Sequence, residues 1–326
     1  DFTEKLEAVN PKFFQANSLL KDRLNKLKKQ NREYLAHEYF NKDWEAINFS
    51  KLNTCFATAK LSYAAPSNHL NAIDKINLTD DQQALLSEVK DPVLYQVVKD
   101  FCVNQQFRAE YWIKGPRRLS KIEQDEYLKN LRVVLTQNIS DINLKTKGAL
   151  GEVTLKSSIY EPILNFLSDL EPKTIKEIVD RVSIDGIDFG QIIQAVMVLV
   201  GKKCMATVQN ERIVNEVKKN TDRLNDFLIK HAYGSQEIGY LVSPMTGGGI
   251  PLSRIQKIFL ASFKLGSKKP EQLADFAWKI ISSQDQRIFR DGSEITDTEE
   301  TIEYLTQKSQ IFLEKEMPIL KAHRII

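Results

Sequence analysis

Three stretches hold most of the side chains able to do chemistry. Between Tyr34 and Asn48, the rings of Tyr34, Tyr39, Phe40 and Trp44 interleave with His37, Glu38, Asn41 and Asp43. Rings and polar groups mixed this closely suit the wall of a binding site; they also suit a seam between domains. Arg108, Lys114, Arg117, Arg118 and Lys121 gather beside Tyr111 and Trp112. That cluster could grip an acidic peptide or a nucleic acid, or could be a solvated cluster that stabilises the fold. Met245-Thr246-Gly247-Gly248-Gly249-Ile250-Pro251 precedes a predicted helix. A glycine loop there could cradle a phosphate, but Pro251 stiffens the entry and favours a structural turn.

Familiar catalytic patterns are missing. A Walker loop needs GxxxxGK[ST], and a dinucleotide or adenosyl loop needs GxGxxG or GxGxG after an apolar strand; neither spacing occurs. His37, His69, His231 and His323 are scattered, with no HxxxH or HExxH, which removes the common zinc hydrolases. No GxSxG elbow is present. Cys55, Cys102 and Cys204 are far apart and without a CxxC, so neither disulfides nor zinc is indicated. Each sits among apolar neighbours and reads as buried, in a reducing compartment.

The whole chain bounds the rest. Its 326 residues suffice for two or three domains of roughly 100–200 residues. With 42% hydrophobic and 27% charged residues, it can build a real core. A net charge of +3 and a pI near 8.5 fall short of the pI above about 9 that marks nucleic-acid binders. No apolar run approaches the roughly 20 residues of a membrane span, and a cytoplasmic location is expected. The first residue is Asp1 rather than Met, so a missing leader decides nothing, and a fragment or split gene product is the expectation.

The elements that must position these residues follow from periodicity. Phe13, Ala16, Leu20, Leu24 and Leu27 predict one helix over 11–31. A helix over 49–61 leads into a strand at 61–65, one step of an α/β layer. Thr79 caps a helix to about Val89, and Asp91-Pro92 starts another whose buried stripe is Leu94, Val97, Val98 and Phe101. Phe107 to Ile113 alternates as a strand, and Ser120 with Glu123 forms a capping box for a helix to Arg132. Short strands fill 138–156, with a domain boundary there.

Residues 157–209 read as three helices and a strand, with breaks at Pro172, Asp185-Gly186 and Gly201, a winged-helix pattern. A DNA-reading third helix should present Arg, Lys or Asn. This one offers Asp188, Gln191 and Gln194 and no basic residue, so DNA is the disfavoured partner and a protein contact or scaffold is favoured. A helix over 212–234, a short strand at 238–242 and further helices from Leu252, Pro270 and Asp297 complete the chain. The fold class is α+β, predominantly α-helical and multi-domain: an N-terminal helical segment (1–30), a small α/β domain (31–150), a winged-helix-like domain (151–235) and a helical C-terminal domain (236–326).

Four blocks carry a resemblance: Tyr-Leu-Ala-His-Glu-Tyr-Phe-Asn from Tyr34, Leu-Thr-Asp-Asp-Gln-Gln-Ala-Leu-Leu from Leu78, Asp-Phe-Cys-Val-Asn-Gln-Gln-Phe-Arg from Asp100 and Gly-Pro-Arg-Arg-Leu-Ser from Gly115. Together they resemble the methyltransferase regulatory domain that follows the AdoMet-binding domain in a group of bacterial class I methyltransferases. Residues 157–209 are similar to the winged helix of the outer-membrane-protein lysine methyltransferases in that group, and Ser243 to Pro251 resembles their C-terminal region. The family's acidic-x-Gly-x-Gly loop is absent. The resemblance therefore implies the accessory, substrate-recognition part of an AdoMet-dependent protein lysine methyltransferase. The AdoMet-binding domain would be supplied in cis or in trans, and this chain alone should neither hold AdoMet nor turn over. The substrate would be a protein, with an outer-membrane protein as one candidate class. Tyr34, His37, Glu38 and Asn41 match the first block and become candidates for the acceptor entrance, where a carboxylate and rings suit a lysine ammonium. Arg108, Arg117 and Arg118 are the further substrate-binding candidates. A free-standing winged-helix regulator that binds DNA or a protein is the alternative.

Overall fold

In a computed structural model of the protein, residues 2–17, 20–290 and 292–326 are described. The chain divides into two compact units, Asp1–Thr58 and Ala59–Ile326. It is mainly helical with small sheets, an α+β chain.

The first unit holds helices α1 (Phe2–Ala8), α2 (Lys12–Ala16), α3 (Leu20–Lys28), α4 (Arg32–Tyr39) and α5 (Phe49–Thr58). The single helix expected over 11–31 is instead two: α2 closes at Asn17 and α3 starts at Leu20, while the expected turn through residues 18 and 19 lies outside the described residues. Among this unit's described residues Phe49 alone is buried, and Phe13 remains 63% exposed. Short helices in water owe most of their stability to a packed face, and here that face has little to pack on. Ion pairs Lys28–Glu4 (2.8 Å) and Lys21–Glu7 (2.9 Å) link α3 to α1. Cys55 is exposed and Cys102 half-buried, so burial holds for Cys204 alone.

The second unit begins with β1 (Leu61–Pro66), α6 (Asp74–Asn77), α7 (Asp80–Glu88), α8 (Pro92–Val103), β2 (Glu110–Lys114) and α9 (Lys121–Asn130). β1 and β2 pair antiparallel from Leu61↔Lys114 to Pro66↔Glu110, with a bulge between Tyr63 and Ala65. The expected α/β layer is therefore an antiparallel ribbon: β1's neighbour is β2, with no crossover to a parallel strand. Local start signals behave as read. Thr79 and Ser120 form capping boxes with Gln82 and Glu123, and Asp91 accepts from Val93 and Leu94 N–H with Pro92 in the first turn. The buried stripe expected on α8 is overturned: Val97 and Val98 are only half-buried, and Leu94 and Phe101 are 51% and 82% exposed.

Next come β3 (Arg132–Leu135), the hairpin β4 (Lys145–Gly148) and β5 (Gly151–Thr154), α10 (Ser157–Phe166), β6 (Lys173–Thr174), α11 (Ile175–Val182), α12 (Phe189–Gly201) and β7 (Met205–Val208). β3 is the centre of a three-stranded antiparallel sheet in the order β6-β3-β7. Val133, Val134 and Leu135 are essentially fully buried, each worth roughly 1.5–3 kcal/mol of transfer free energy. Thr174 and Asp188 cap α11 and α12 with boxes to Glu177 and Gln191. α12 turns Ile192, Ala195, Val198 and Leu199 inward and carries no Lys or Arg.

The chain closes with α13 (Glu211–His231), β8 (Tyr240–Val242), β9 (Gly249–Pro251), α14 (Arg254–Lys264), α15 (Pro270–Ser282), β10 (Ile288–Arg290), β11 (Ser293–Ile295), α16 (Thr298–Ile311), a π-helical turn (Phe312–Glu316) and α17 (Met317–Ala322). One apolar cluster runs through this unit, from Ile73 and Ile76 to Phe312 and Ile325.

His323, fully buried, ties separate segments together. Its Nε2 lies 2.8 Å from the Leu135 carbonyl at the end of β3, and its Nδ1 lies 3.2 Å from Ser243 Oγ beyond β8. A carbonyl only accepts, so Nε2 carries the proton. Burial pushes the imidazole's pKa down, against a smaller opposing effect of the Leu135 bond. An unfolded histidine titrates near 6.5, so on acidification the unfolded chain takes up a proton before the folded one does. The tie's contribution is thus complete above about pH 7 and is lost as pH falls below about 6.5 towards the folded pKa. His323→Gln should lower the Tm at pH 7.5, with a cost on the order of 1–3 kcal/mol. It should also flatten the acid side of the Tm–pH curve between pH 7 and 5. Equal slopes for both proteins would show that His323 is not the group responsible.

Candidate functional site

Helices α6 and α8 and the β1–β2 ribbon enclose a cavity of about 470 Å³. Tyr63 on β1 and Arg108, just before β2, line this cavity together with Asp100 near the end of α8. Arg108 is the centre. Its guanidinium donates to Asp100 and Glu110 carboxylates and, at 2.9 Å, to Gln96 Oε1. Tyr63's ring lies 5.7 Å from the guanidinium, and Trp112 meets Tyr63 edge-on at 5.8 Å. Trp112 Nε1–H donates to Glu110 Oε2 at 3.1 Å, so both Glu110 oxygens are engaged. Nearby, Lys99 pairs with Asp74 at 2.6 Å.

The far wall is set by Asn77, which is 6% exposed. Its amide donates to the Leu70 and Ile73 carbonyls at 2.7 and 2.8 Å, and its oxygen accepts from Ala149 N–H at 2.9 Å. Gly148 makes that approach possible, because a Cβ there would come within 2.1 Å of the Ile76 carbonyl oxygen.

The electrostatics favour recognition over proton transfer. Burial works against the Arg108 charge, yet hydrogen bonds and attraction from Asp100 and Glu110 outweigh it and raise its pKa. Burial raises the Tyr63 and Tyr95 phenols, and Asp74 raises Tyr95 further. Both stay protonated at neutral pH. One cation against two carboxylates leaves the centre slightly acidic, with aromatic faces beside it. Its arginine is committed to those carboxylates, so the site suits a polar or cationic group better than an anion.

The sequence-derived candidates are dispersed. Arg108 lines the cavity; Arg117 and Arg118 do not. Arg117 is exposed and pairs with Glu123 at 2.6 Å, and Arg118 is exposed. Tyr34, His37 and Glu38 lie on α4 and Asn41 just beyond it, all exposed in the first unit. Asp100, Glu110, Tyr63 and Tyr95 were not singled out by sequence. Asp100 and Arg108, eight positions apart around the end of a helix, were the available signal. Cys204 is buried with Gln137 Nε2 at 2.8 Å, and burial raises its thiol, which makes it an inert core residue.

The glycine loop is the turn of the β8–β9 hairpin, with Leu241↔Ile250 and Val242↔Gly249 paired and Gly247 at φ +70°. The strand pairings among the described residues are antiparallel. A strand-to-helix glycine loop on a parallel sheet, as adenosyl and dinucleotide sites use, is not what these residues build. No cluster of His, Cys, Asp and Glu among the described residues could hold a metal ion, and no described helix is long and apolar enough to cross a membrane.

Comparison with known proteins bears on this site. Residues 31–114 match the sequence model of a predicted methyltransferase regulatory domain, a stretch that includes Arg108, Glu110 and the α8 face. An uncharacterized protein of Synechocystis sp. is 33% identical over 320 residues, covering 98% of this chain and 62% of that protein. The fold resembles PKMT2 from Rickettsia typhi in complex with AdoHcy, with a TM-score of 0.59 at 14% identity over 93% of this chain and 62% of that one. A second PKMT2 structure from the same organism gives a TM-score of 0.58 at 13% identity, over 93% and 63% of the two chains. The chain thus spans about three-fifths of the length of the proteins it matches.

Replacing Arg108 by Met should leave Asp100 and Glu110 without their cation, at a cost on the order of 3 kcal/mol. Arg117→Ala should leave stability unchanged, because its pair is solvent-screened. Urea denaturation of both variants checks the contrast. Equal midpoints for the two would remove Arg108 from the centre of this site.

Proposed function

We propose that this chain is the accessory, substrate-recognition portion of an AdoMet-dependent protein methyltransferase that acts on lysine. What carries the reading is the match of residues 31–114 to a methyltransferase regulatory domain, in a chain whose fold follows PKMT2 along 93% of its length. The donor would be held by an AdoMet-binding domain outside these residues, supplied in cis or in trans. Residues 31–150 would form the regulatory domain, 151–235 a winged-helix-like domain and 236–326 a helical C-terminal domain, in a cytoplasmic protein.

Two further observations support the reading. α8 turns Leu94 and Phe101, seven residues apart on one helical face, to solvent, 51% and 82% exposed. Large apolar side chains spaced this way suit contact with another domain. On α4, Tyr34 and Glu38 are four apart and so share a face. A carboxylate beside a ring suits a lysine ammonium, through charge and cation–π attraction. Methyl transfer to an amine needs the acceptor aligned more than it needs a protein nucleophile, which agrees with a chain built for recognition. His37 and Asn41 would complete the acceptor entrance, Arg117 and Arg118 would add a cationic rim, and Arg108 would act by holding its cavity in shape. The substrate would be a protein, with an outer-membrane protein as one class to test.

The test is isothermal titration calorimetry with AdoMet, on this chain and on one extended at its N-terminus by the native reading frame, followed by transfer of labelled methyl groups to protein. Binding and transfer by the extended form only are expected. In that form, Glu38→Gln should cut kcat/KM for a lysine substrate about two- to fivefold, the range of a lost exposed charge contact, and leave AdoMet affinity unchanged. If neither form binds AdoMet, the reading fails.

A further inference from the structure

A second cleft, of about 700 Å³, lies between the three-stranded sheet and the C-terminal helices. That volume falls within the range of ligand sites, roughly 300–1,000 Å³. Its walls come from β7, the β8–β9 hairpin, the start of α14 and the π turn that leads into α17. π turns inside helices recur at functional sites, and this one delivers Glu316.

Glu316 is held on one side only. Gln256 Nε2 donates to its Oε1 at 2.8 Å, while Gln256 Oε1 is fixed by accepting from Ser253 N–H at 2.9 Å. The other oxygen, Oε2, is buried and has no hydrogen-bond partner. A buried acceptor left unmatched costs about 1–3 kcal/mol. Lys315 is paired with Asp141, and its pull on the carboxyl, like those of Gln256 and of Glu316's own backbone N–H, is outweighed by burial. Burial, with Asp141 adding to it, raises the Glu316 carboxyl. A cation arriving beside Oε2 would reverse that effect.

The cleft also meets two strand edges. β7 is the outer strand of its sheet, and β9 has β8 on one side only. In an antiparallel ladder the backbone groups of alternate residues face the partner or face away. Thr136 N–H donates to the Cys204 carbonyl, and β3 and β7 pair as Val134↔Ala206, so Met205 and Thr207 direct their backbone groups away from β3; Thr207 is exposed there, while Met205 is buried. Ser243 N–H donates to Gly248 and Leu252 N–H to Gly239, so Gly249 and the Pro251 carbonyl face outward likewise. Outward backbone donors and acceptors on a cleft wall are what strand addition uses.

We propose that this cleft takes an extended peptide segment of another protein, laid between the free edges of β7 and β9, with a lysine or arginine side chain reaching Glu316 Oε2. Backbone pairing would supply affinity and Glu316 the selectivity for a cation. The inference deepens the substrate-recognition reading by giving it a protein-contact site apart from the Arg108 cavity.

The probes are two pools of acetylated hexapeptide amides, randomised except for a fixed third position, lysine in one pool and norleucine in the other. Binding is read by fluorescence anisotropy, and its location by hydrogen exchange. At least tenfold tighter binding of the lysine pool is expected, with slowed exchange over 205–207 and 249–252. Glu316→Gln, which keeps the side-chain shape, should erase the difference between pools. Thr207→Pro removes an outward N–H without touching the β3 ladder, and should weaken both pools. Thermal melts confirm that each variant folds. Equal affinities for the two pools, an unchanged preference in Glu316→Gln, protection elsewhere, or no binding would each overturn the proposal. Methyl transfer by the extended protein separates the two readings. Transfer without pool selectivity sinks the cleft alone, and pool selectivity without AdoMet binding sinks the methyltransferase reading alone.

Discussion

The buried ring of His323 fixes the relation between three parts of the larger unit that are far apart in sequence. Leu135 ends the central strand of the sheet, Ser243 opens the glycine hairpin, and His323 itself ends α17. A neutral imidazole can serve two such partners because it offers one donor and one acceptor at a fixed angle; neither Asn nor a charged side chain reproduces that span. The walls of the Glu316 cleft follow directly from it. Thr136 is the residue after Leu135, the hairpin residues Gly248 and Gly249 follow from Ser243, and Glu316 lies two turns before His323 on the same helical run. A change in that tie is a change in cleft shape as well as in stability.

Arg108 shows how a residue type can mislead when its surroundings are unknown. Counted along the chain, it belongs to a basic run. In the fold it faces Asp100 and Glu110 and adds nothing to a cationic surface. Such half-buried pairs contribute little net stability, because desolvation offsets most of the attraction. Their effect is to define one arrangement: α8 and β2 can meet only where the guanidinium fits both carboxylates, Gln96 and the Tyr63 ring. That is consistent with a cavity whose shape, rather than its reactivity, matters.

What could be read from sequence divides along range of interaction. The caps at Thr79, Asp91 and Ser120 depend on atoms within three residues, and they stand where the residue types put them. The turn at Met245 to Pro251 was legible for the same reason. β3 was missed, because Arg-Val-Val-Leu is too short to show a period and is a strand only through partners at 173–174 and 205–208. The β10–β11 hairpin was missed likewise. On α8 the helical stripe was found but its burial was not, since periodicity marks a face without saying what covers it. Glu316 was invisible because its isolation depends on a π turn and on Gln256, sixty residues away in the chain.

The two cavities differ in the state of their polar groups, and that difference has a direction. Around Arg108 both oxygens of Glu110 are matched by donors, so a newcomer would have to displace bonds already made. Beside Glu316 one oxygen is matched and one is not. Folding tolerates such a defect when other packing holds it in place, and Gln256, anchored in the cap of α14, does so here. An incoming donor therefore gains a hydrogen bond at Glu316 without breaking one, whereas at Arg108 it exchanges one bond for another. A saturated network holds shape and an unsaturated carboxylate can take a further donor, so the proposed selectivity for a cationic peptide falls to the Glu316 cleft and not to the Arg108 cavity.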